Sequence, residues 1–445
     1  MSCDFFCSFL QTKPTQKEYA MNLIKELNWR GMLQDIMPGT EEQLNKEMTT
    51  AYVGFDPTAD SLHIGSLVPI LLLVHLQKAG HKPIALVGGA TGMVGDPSGK
   101  SEERNMLSEE ELNKNIIGVR SQLEKFLNFD TSLPNAAELT NNYDWFKRIS
   151  FLDFIRDAGK HITVNYMMAK DSVKKRLEGE TGMSFTEFTY QLVQGYDFYW
   201  LYKNKNCKLQ MGGSDQWGNI VTGTELIRRK TGGEAFAFTC PLIKKADGGK
   251  FGKTEKGNIW LDANKTTPYQ FYQFWLNASD SDAASWIKIF TFLPESEINN
   301  LITAHESNPA DRILQKKLAE VLTIFVHGQI EFEKSVETTQ KLFSGFKTSI
   351  DSLSVEDLES IEGIVRTNYS VDKINTGIDI LSFLTENSIF ESKGAARKML
   401  QNGGVSINRE KITDLQMMVD KNSLLHNKFI LIQVGKKNNF LVTVD

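Results

Sequence analysis

No Cys-x-x-Cys pair occurs in this chain, and its four cysteines, Cys3, Cys7, Cys207 and Cys240, match neither a disulfide framework nor a zinc site. They read as free thiols in a reducing cytoplasm. Cys207 and Cys240 have the setting of buried strand residues, and no protein-held metal is expected. Long hydrophobic runs are missing too: nothing approaches the roughly 18 consecutive apolar residues of a membrane-spanning helix. The apolar opening MSCDFFCSFL (1–10) is broken by Asp4 and has no basic start, so it makes a poor signal peptide. Residues 1–20 are expected to be an unstructured extension, and Met21 is an alternative start that leads into an amphipathic helix. Positive charge is not in excess either. Lys and Arg number 50 against 55 Asp and Glu, leaving a formal net charge of -5. The chain is therefore no basic nucleic-acid glove, and any RNA binding must come from a local patch. Residues 376–445 carry nine Lys/Arg against seven Asp/Glu, a small local excess. Tandem repeats and low-complexity tracts are absent.

The 445 residues leave room for two or three domains. With 41% hydrophobic and 24% charged residues, the composition is that of an ordinary globular protein. Leu23, Ile24, Leu27 and Leu33 share one face of a helix expected over 21–37. Thr50 to Phe55 alternates as a strand and breaks at Asp56-Pro57-Thr58. A helix restarts near His63-Ile64-Gly65, and 68–79 is a strongly apolar helix ended by Gly80. PIALV (83–87) reads as a buried parallel strand and runs into the glycine turn GGATG (88–92). KLQM (208–211), then Gly212-Gly213-Ser214-Asp215, then a helix over 218–230, repeats the pattern. Strand, glycine turn and helix in alternation predict a Rossmann-like α/β fold with a parallel sheet, whose ligands bind where strands end in glycine turns. From Pro268 to about 345 the chain reads as helical. Residues 345–375 are polar with weak periodicity and read as a connection. Beyond 376 a small α+β pattern follows: helices over 378–387 and 392–402, the strand VSIN, and a terminal hairpin turning at Gly435-Lys436-Lys437-Asn438.

Two constellations carry chemistry. The first is Tyr52-x-Gly54-x-Asp56-Pro57-Thr58 followed by His63-Ile64-Gly65-Ser66. Small residues let the backbone approach a ligand, a helix start offers free N–H groups to an anion, and an imidazole can donate to phosphate. Alone, such a histidine is more often a cap or a core residue. The second is Lys250-Phe251-Gly252-Lys253-Thr254, preceded by Lys244, Lys245 and a D-G-G turn. Two lysines on a glycine loop can neutralise the charge that builds on a departing pyrophosphate. Alone, this would be a solvated hairpin tip.

Together the two resemble the HIGH-type and KMSKS-type signatures of class I aminoacyl-tRNA synthetases. GGATGMVGDPSGK (88–100), NNYDW (141–145), FTYQLVQGYDF (188–198) and LQMGGSDQWGN (209–219) extend the resemblance, from about Met21 onward, to the bacterial tyrosyl-tRNA synthetases. The resemblance implies a cytoplasmic ligase that makes tyrosyl-adenylate from tyrosine and ATP, with Mg2+ as part of the ATP substrate, and then loads tRNA(Tyr). It implies a homodimer with its interface around 145–185. Tyr52 and Asp197 would bind the substrate hydroxyl, and Asp96, Tyr190 and Gln194 its ammonium. Tyr190 and Gln194 lie i, i+4 on one helix face. Gln216 would serve the substrate carboxylate, and Asn142 is a further substrate-side position. Gly54, Asp56, Gly65, Gly213 and Asp215 would hold ATP, with Lys100 and Arg104 on the pyrophosphate side. Thr58, His63, Lys250 and Lys253 would act in catalysis. SKGAARKMLQNGGVSINREKI (392–412) resembles an RNA-binding module shared with a ribosomal protein, with Lys393, Arg397 and Lys398 facing phosphate. Each of these three reads equally well as part of a solvated basic face.

The implied domains are an extension (1–20), a Rossmann-like catalytic domain (21–267), a helical anticodon-side domain (268–345), a linker (346–375) and a small α+β RNA-binding domain (376–445). Two positions depart from the family pattern. Ser66 stands where the second signature histidine is usual, and Val53 replaces a polar residue often found near the ribose. Two other readings stay open: a tryptophan-specific relative, against which Tyr52 with Asp197 argues, and an RNA-binding protein that has lost catalysis, for which Ser66 is the support.

Overall fold

The computed structural model describes residues 21–96, 98, 107–178, 182–249, 251–254, 257–343, 355–360, 364–435 and 438–445. The expected extension at 1–20, Lys100, Arg104, Lys250 and much of the expected linker lie outside these. The chain gathers into two compact units. One comprises residues up to 265 together with 279–307; the other comprises 266–278 and 308–445. The helical stretch read over 268–345 is thus shared between them.

The first unit is built on five parallel strands: β1 (Thr50–Phe55), β2 (Lys82–Val87), β3 (Glu138–Asn141), β4 (Cys207–Gly213) and β5 (Phe236–Cys240). Their spatial order is β3-β2-β1-β4-β5. β1 pairs with β2 in the register Tyr52↔Ile84 and with β4 as Tyr52↔Gln210. Cys207 and Cys240 are buried strand thiols, in keeping with their surroundings in the sequence. Helix α1 (Leu67–Lys78) is apolar all round and buries nine of its twelve residues, which is the behaviour of an internal helix.

Three further helices position the site: α2 (Thr91–Val94), α3 (Tyr143–Phe146) and α4 (Phe185–Lys205). α4 opens with a capping box between Ser184 and Glu187 and closes at Asn206 with φ 51°, the left-handed turn that feeds β4. It packs on helix α5 (Trp217–Thr231) where Gly195 meets Gly223. A β-carbon on Gly223 would stand 2.9 Å from that of Phe198, so this crossing requires glycine.

The second unit carries its own five-stranded sheet, in the order Glu410–Ile412, Val405–Ile407, Phe429–Val434, Asn438–Val444, Val365–Tyr369. Two sequence readings need correction here. The first helix spans only Leu23–Trp29, because Gly31 turns left-handed (φ 73°) and Arg30 reaches carbonyls of Lys288, Thr291 and Leu293 instead of continuing the helix. The stretch read as connection contains an edge strand, Val365–Tyr369, which pairs in parallel with the last strand as Val442↔Thr367. Its residues are mostly half-buried or exposed, so its hydrophobic alternation is weak.

Candidate active site

Strand order reverses between β1 and β4, and the crevice beyond their carboxyl ends opens into a cavity of about 730 Å³. Tyr52 and Gly54 reach it from β1, Gly213 from β4, Asp56 and Asp215 from the turns that follow, and Asp197 from α4.

Tyr52 is 1% exposed, and its hydroxyl has no hydrogen-bond partner in the protein. Burial, together with the charge of Asp197, pushes this phenol far above its ordinary range. Asp197 is equally buried, but both of its oxygens are held. Asn142 donates to Oδ2 at 3.0 Å and the Trp145 indole to Oδ1 at 2.9 Å. Burial pushes the carboxyl up to about 8, against the pull of these two hydrogen bonds, and the charge of Asp56 adds to the rise. Asn142 lies behind the cavity wall, where it also accepts from the Ala90 amide at 2.6 Å.

A second polar group is centred on Asp96, which is 7% exposed. Gln216 donates to its Oδ2 at 2.8 Å, and the Ser98 amide to its Oδ1 at 2.9 Å. Asn219, one helical turn beyond Gln216, shares its amide between Gln194 Oε1 (3.1 Å) and Ser98 Oγ (3.2 Å). Gln194, Gln216 and Asp96 are thus brought together. Tyr190 takes a different partner: its hydroxyl donates to Asp56 Oδ2 at 3.0 Å, while Thr91 donates to Asp56 Oδ1 at 2.8 Å. Asp215 is pushed upward by burial, with the neighbouring Gln216 hydrogen bond pulling the other way. Gly213 makes room for it, since a β-carbon there would fall 2.6 Å from Asp215 Oδ1.

On the other rim, His63 precedes the turn Ile64–Ser66, and its Nδ1 accepts from the Gly65 amide at 3.0 Å. With Nδ1 accepting, the neutral ring carries its proton on Nε2. The turn is stitched to the lysine loop. Ile64 N donates to Ile259 O (2.9 Å), Ile259 N donates to Gly252 O (3.0 Å), and His63 bridges to Trp260. Lys253 begins a short antiparallel pair with Gly257–Asn258, and its side chain is not among those described. Ser66 lines the cavity and makes no cap bond to α1. Thr58 is exposed and outside the cavity wall.

Thr91, Trp145 and Asn219 join the site without having been legible as site residues in the sequence. A signal was present in their spacing, because Trp145 follows Asn142 by three residues and Asn219 follows Gln216 by three. On the second unit, Lys393, Arg397 and Lys398 are all exposed on the helix Lys393–Gln401, which buries only Ala396 and Leu400. The Lys393 ammonium also donates to Ser382 Oγ at 2.5 Å. Among the described residues no group of three or more His, Cys, Asp or Glu is arranged around a metal position, and no helix is long and apolar enough to cross a membrane.

The family described as tRNA synthetases class I (W and Y) matches residues 44–344, and a tyrosine–tRNA ligase SYY-like C-terminal domain matches 361–442. The chain is 58% identical over 427 residues to a tyrosine–tRNA ligase of Bacteroides thetaiotaomicron, covering 95% of this chain and 99% of that one. It is 59% identical over 430 residues to that of Flavobacterium johnsoniae, again covering 95% and 99%. A C-terminally truncated mitochondrial tyrosyl-tRNA synthetase of Aspergillus nidulans superposes with a TM-score of 0.65 at 30% identity, covering 76% of this chain and 99% of that one.

Proposed function

The chain belongs to the tyrosine–tRNA ligases of the class I tRNA synthetases, and from that premise we propose which of its residues carry each part of the reaction. The activity is ligation of tyrosine to tRNA(Tyr) at the expense of ATP. A tyrosine carboxylate oxygen attacks the α-phosphorus, the bond to the bridging oxygen breaks, and pyrophosphate leaves with that electron pair. A ribose hydroxyl at the tRNA 3′ end then attacks the carbonyl carbon and AMP departs. No covalent nucleophile from the protein is required. Its work is orientation and charge stabilisation.

Tyr52 and Asp197 bind the substrate phenol. The observation that carries this reading is the buried, partnerless Tyr52 hydroxyl in a cavity that also contains Asp197, whose two oxygens are both held from behind. A phenol placed there satisfies the orphan hydroxyl; a phenylalanine ring or an indole leaves it unpaired. Asp96 and Gln194 receive the ammonium, and Tyr190 joins them once it turns from Asp56. Gln216 faces the carboxylate. Asp215 accepts from ribose hydroxyls beside Gly213. Gly54, Asp56, Thr58 and Gly65 serve the nucleotide side, His63 Nε2–H donates to its phosphates, and Lys100, Arg104, Lys250 and Lys253 serve the pyrophosphate. Mg2+ enters with ATP as part of the substrate. Functionally, 21–267 is the catalytic part, 268–345 the helical anticodon-side part and 376–445 the RNA-binding part, with Lys393, Arg397 and Lys398 meeting tRNA phosphates in the cytoplasm.

The working unit is a homodimer joined around 145–185, with tRNA reaching both subunits. In support, the helix Phe151–Asp157 buries none of its residues, and Phe151, Leu152, Val164 and Phe185 are 66%, 71%, 59% and 66% exposed. So much apolar surface in one segment suits a self-complementary interface. The test of the activity is ATP–pyrophosphate exchange with tyrosine, phenylalanine and tryptophan side by side. Exchange with tyrosine alone is the expected result. Exchange driven by tryptophan would overturn the pocket assignment, and none with any of the three would leave a non-catalytic RNA-binding protein.

A further inference from the structure

Asp197 and Trp200 stand three residues apart on α4 and so share a face. Trp145 of α3 lies against both. Its Nε1 donates to Asp197 Oδ1 at 2.9 Å, and its ring stacks on Trp200 with centroids 4.2 Å apart and planes 12° from parallel. Asn142 and Trp145, also three residues apart, hold the two oxygens of the carboxylate. Two helical pairs therefore interlock: one grips a carboxylate by two donors, and the other grips an indole by an edge and a face. Trp145 is 5% exposed, whereas Trp200 is half-buried. A hollow of about 520 Å³, lined by Trp145, Trp200, Tyr196 and Arg148 among others, adjoins the stack. The Trp145 ring is thus held at its carboxylate edge, has open space nearby, and lies parallel to the face of Trp200.

We propose that Trp200 is a positioning residue for recognition of the substrate hydroxyl, acting through the plane of Trp145 on the orientation of the Asp197 carboxylate. This rests on the reading of Tyr52 and Asp197 as the phenol-binding pair. A hydrogen bond weakens steeply once its angle falls, so a tilt of the indole is enough to release Oδ1. The released carboxyl is then free to turn from the substrate, and without a donor that pulls it down it holds its proton to higher pH. Burial already favours the proton and the charge of Asp56 adds to it; the neighbouring titratable groups Tyr52 and Tyr190 are neutral phenols that supply no positive charge.

The experiment compares Trp200→Ala, Trp200→Leu and Trp200→Phe with the parent full-length enzyme in pyrophosphate exchange, at several pH values, with thermal melts of each. In Trp200→Ala and Trp200→Leu the KM for tyrosine rises about tenfold, the scale of one charge-assisted hydrogen bond. The KM for ATP stays near the parent value, preference for tyrosine over phenylalanine falls, and the low-pH rise in tyrosine KM moves to higher pH. Trp200→Phe, which keeps a flat ring, recovers most of the tyrosine KM. An unchanged tyrosine KM and pH profile in Trp200→Leu would overturn the proposal. So would a loss spread evenly over both substrates and unrelieved by phenylalanine, since that is general loosening of α4. Asp197→Asn, measured alongside, separates the two levels. If it leaves tyrosine KM unchanged, the phenol-pocket reading fails; if it raises KM while Trp200→Leu does not, only the role of Trp200 fails.

Discussion

The Gly65 amide donates to His63 Nδ1 at 3.0 Å, and a β-carbon on Gly65 would stand 2.7 Å from Cε1 of that same ring. The spacing H-x-G is therefore a steric requirement: the imidazole lies over the residue two positions on and fixes its own tautomer by doing so. Gly65→Ala should push the ring aside with the fold intact. We expect kcat for tyrosine activation to drop by about a hundredfold, the usual scale for one misplaced transition-state donor. Stopped-flow adenylate formation with a thermal melt checks it, and a near-parental rate would remove His63 from the chemistry.

Tyr52→Phe removes a buried hydroxyl that has no protein partner. The free protein should gain about 1 kcal/mol in stability, because an unpaired buried donor no longer has to be desolvated. The KM for tyrosine should rise about tenfold, and the preference over phenylalanine should fall. Urea unfolding paired with exchange kinetics measures both. A destabilised variant would mean that the hydroxyl already has a partner.

Asp197 links pH to stability. Its carboxyl moves from an ordinary 3.8 to about 8 on folding. Between those values the folded state holds a proton that the unfolded chain has released, so its contribution to stability falls as pH rises and levels off above the folded value. Asparagine has no proton to lose. The melting temperature of Asp197→Asn relative to the parent should therefore climb from about pH 5 to about pH 8. Some of this gain is offset because asparagine leaves Asn142 or Trp145 without an acceptor. A gap independent of pH would show that the carboxyl titrates normally.

Phe151→Asp combined with Leu152→Asp places charge at the two most exposed apolar positions of its helix and leaves the packing of Phe154 on Phe146 and Tyr196 untouched. Sedimentation should show a monomer that melts close to the parent temperature and no longer charges tRNA. A dimer that survives the change would locate the interface elsewhere.

Exchanging Lys393, Arg397 and Lys398 for glutamine should weaken tRNA binding without altering pyrophosphate exchange. Each phosphate left without its protein cation should lower the slope of log affinity against log salt by about one. Lys393, which is already tied to Ser382, should contribute least. Filter binding over a salt series resolves this.

Reading the chain alone is enough for the parallel sheet, the glycine turns, the two signature segments and the family. Such features depend on neighbours within a few residues: PIALV is a buried strand by composition, and His63 is oriented by Gly65. Where local pattern is weak, the reading falls short, as with the edge strand Val365–Tyr369 and the truncated first helix. Only the tertiary structure decided which side chains meet. The family resemblance groups Tyr190 with Asp96, yet Tyr190 donates to Asp56, 134 positions away; Gln216 reaches Asp96 across 120; and the spacing of Trp145 from Asn142 gains its meaning only when both meet Asp197. Hydrogen bonds of that kind depend on sheet register and on the close crossing of two helices at Gly195 and Gly223. Both are set by long-range packing, which leaves no periodic trace in sequence.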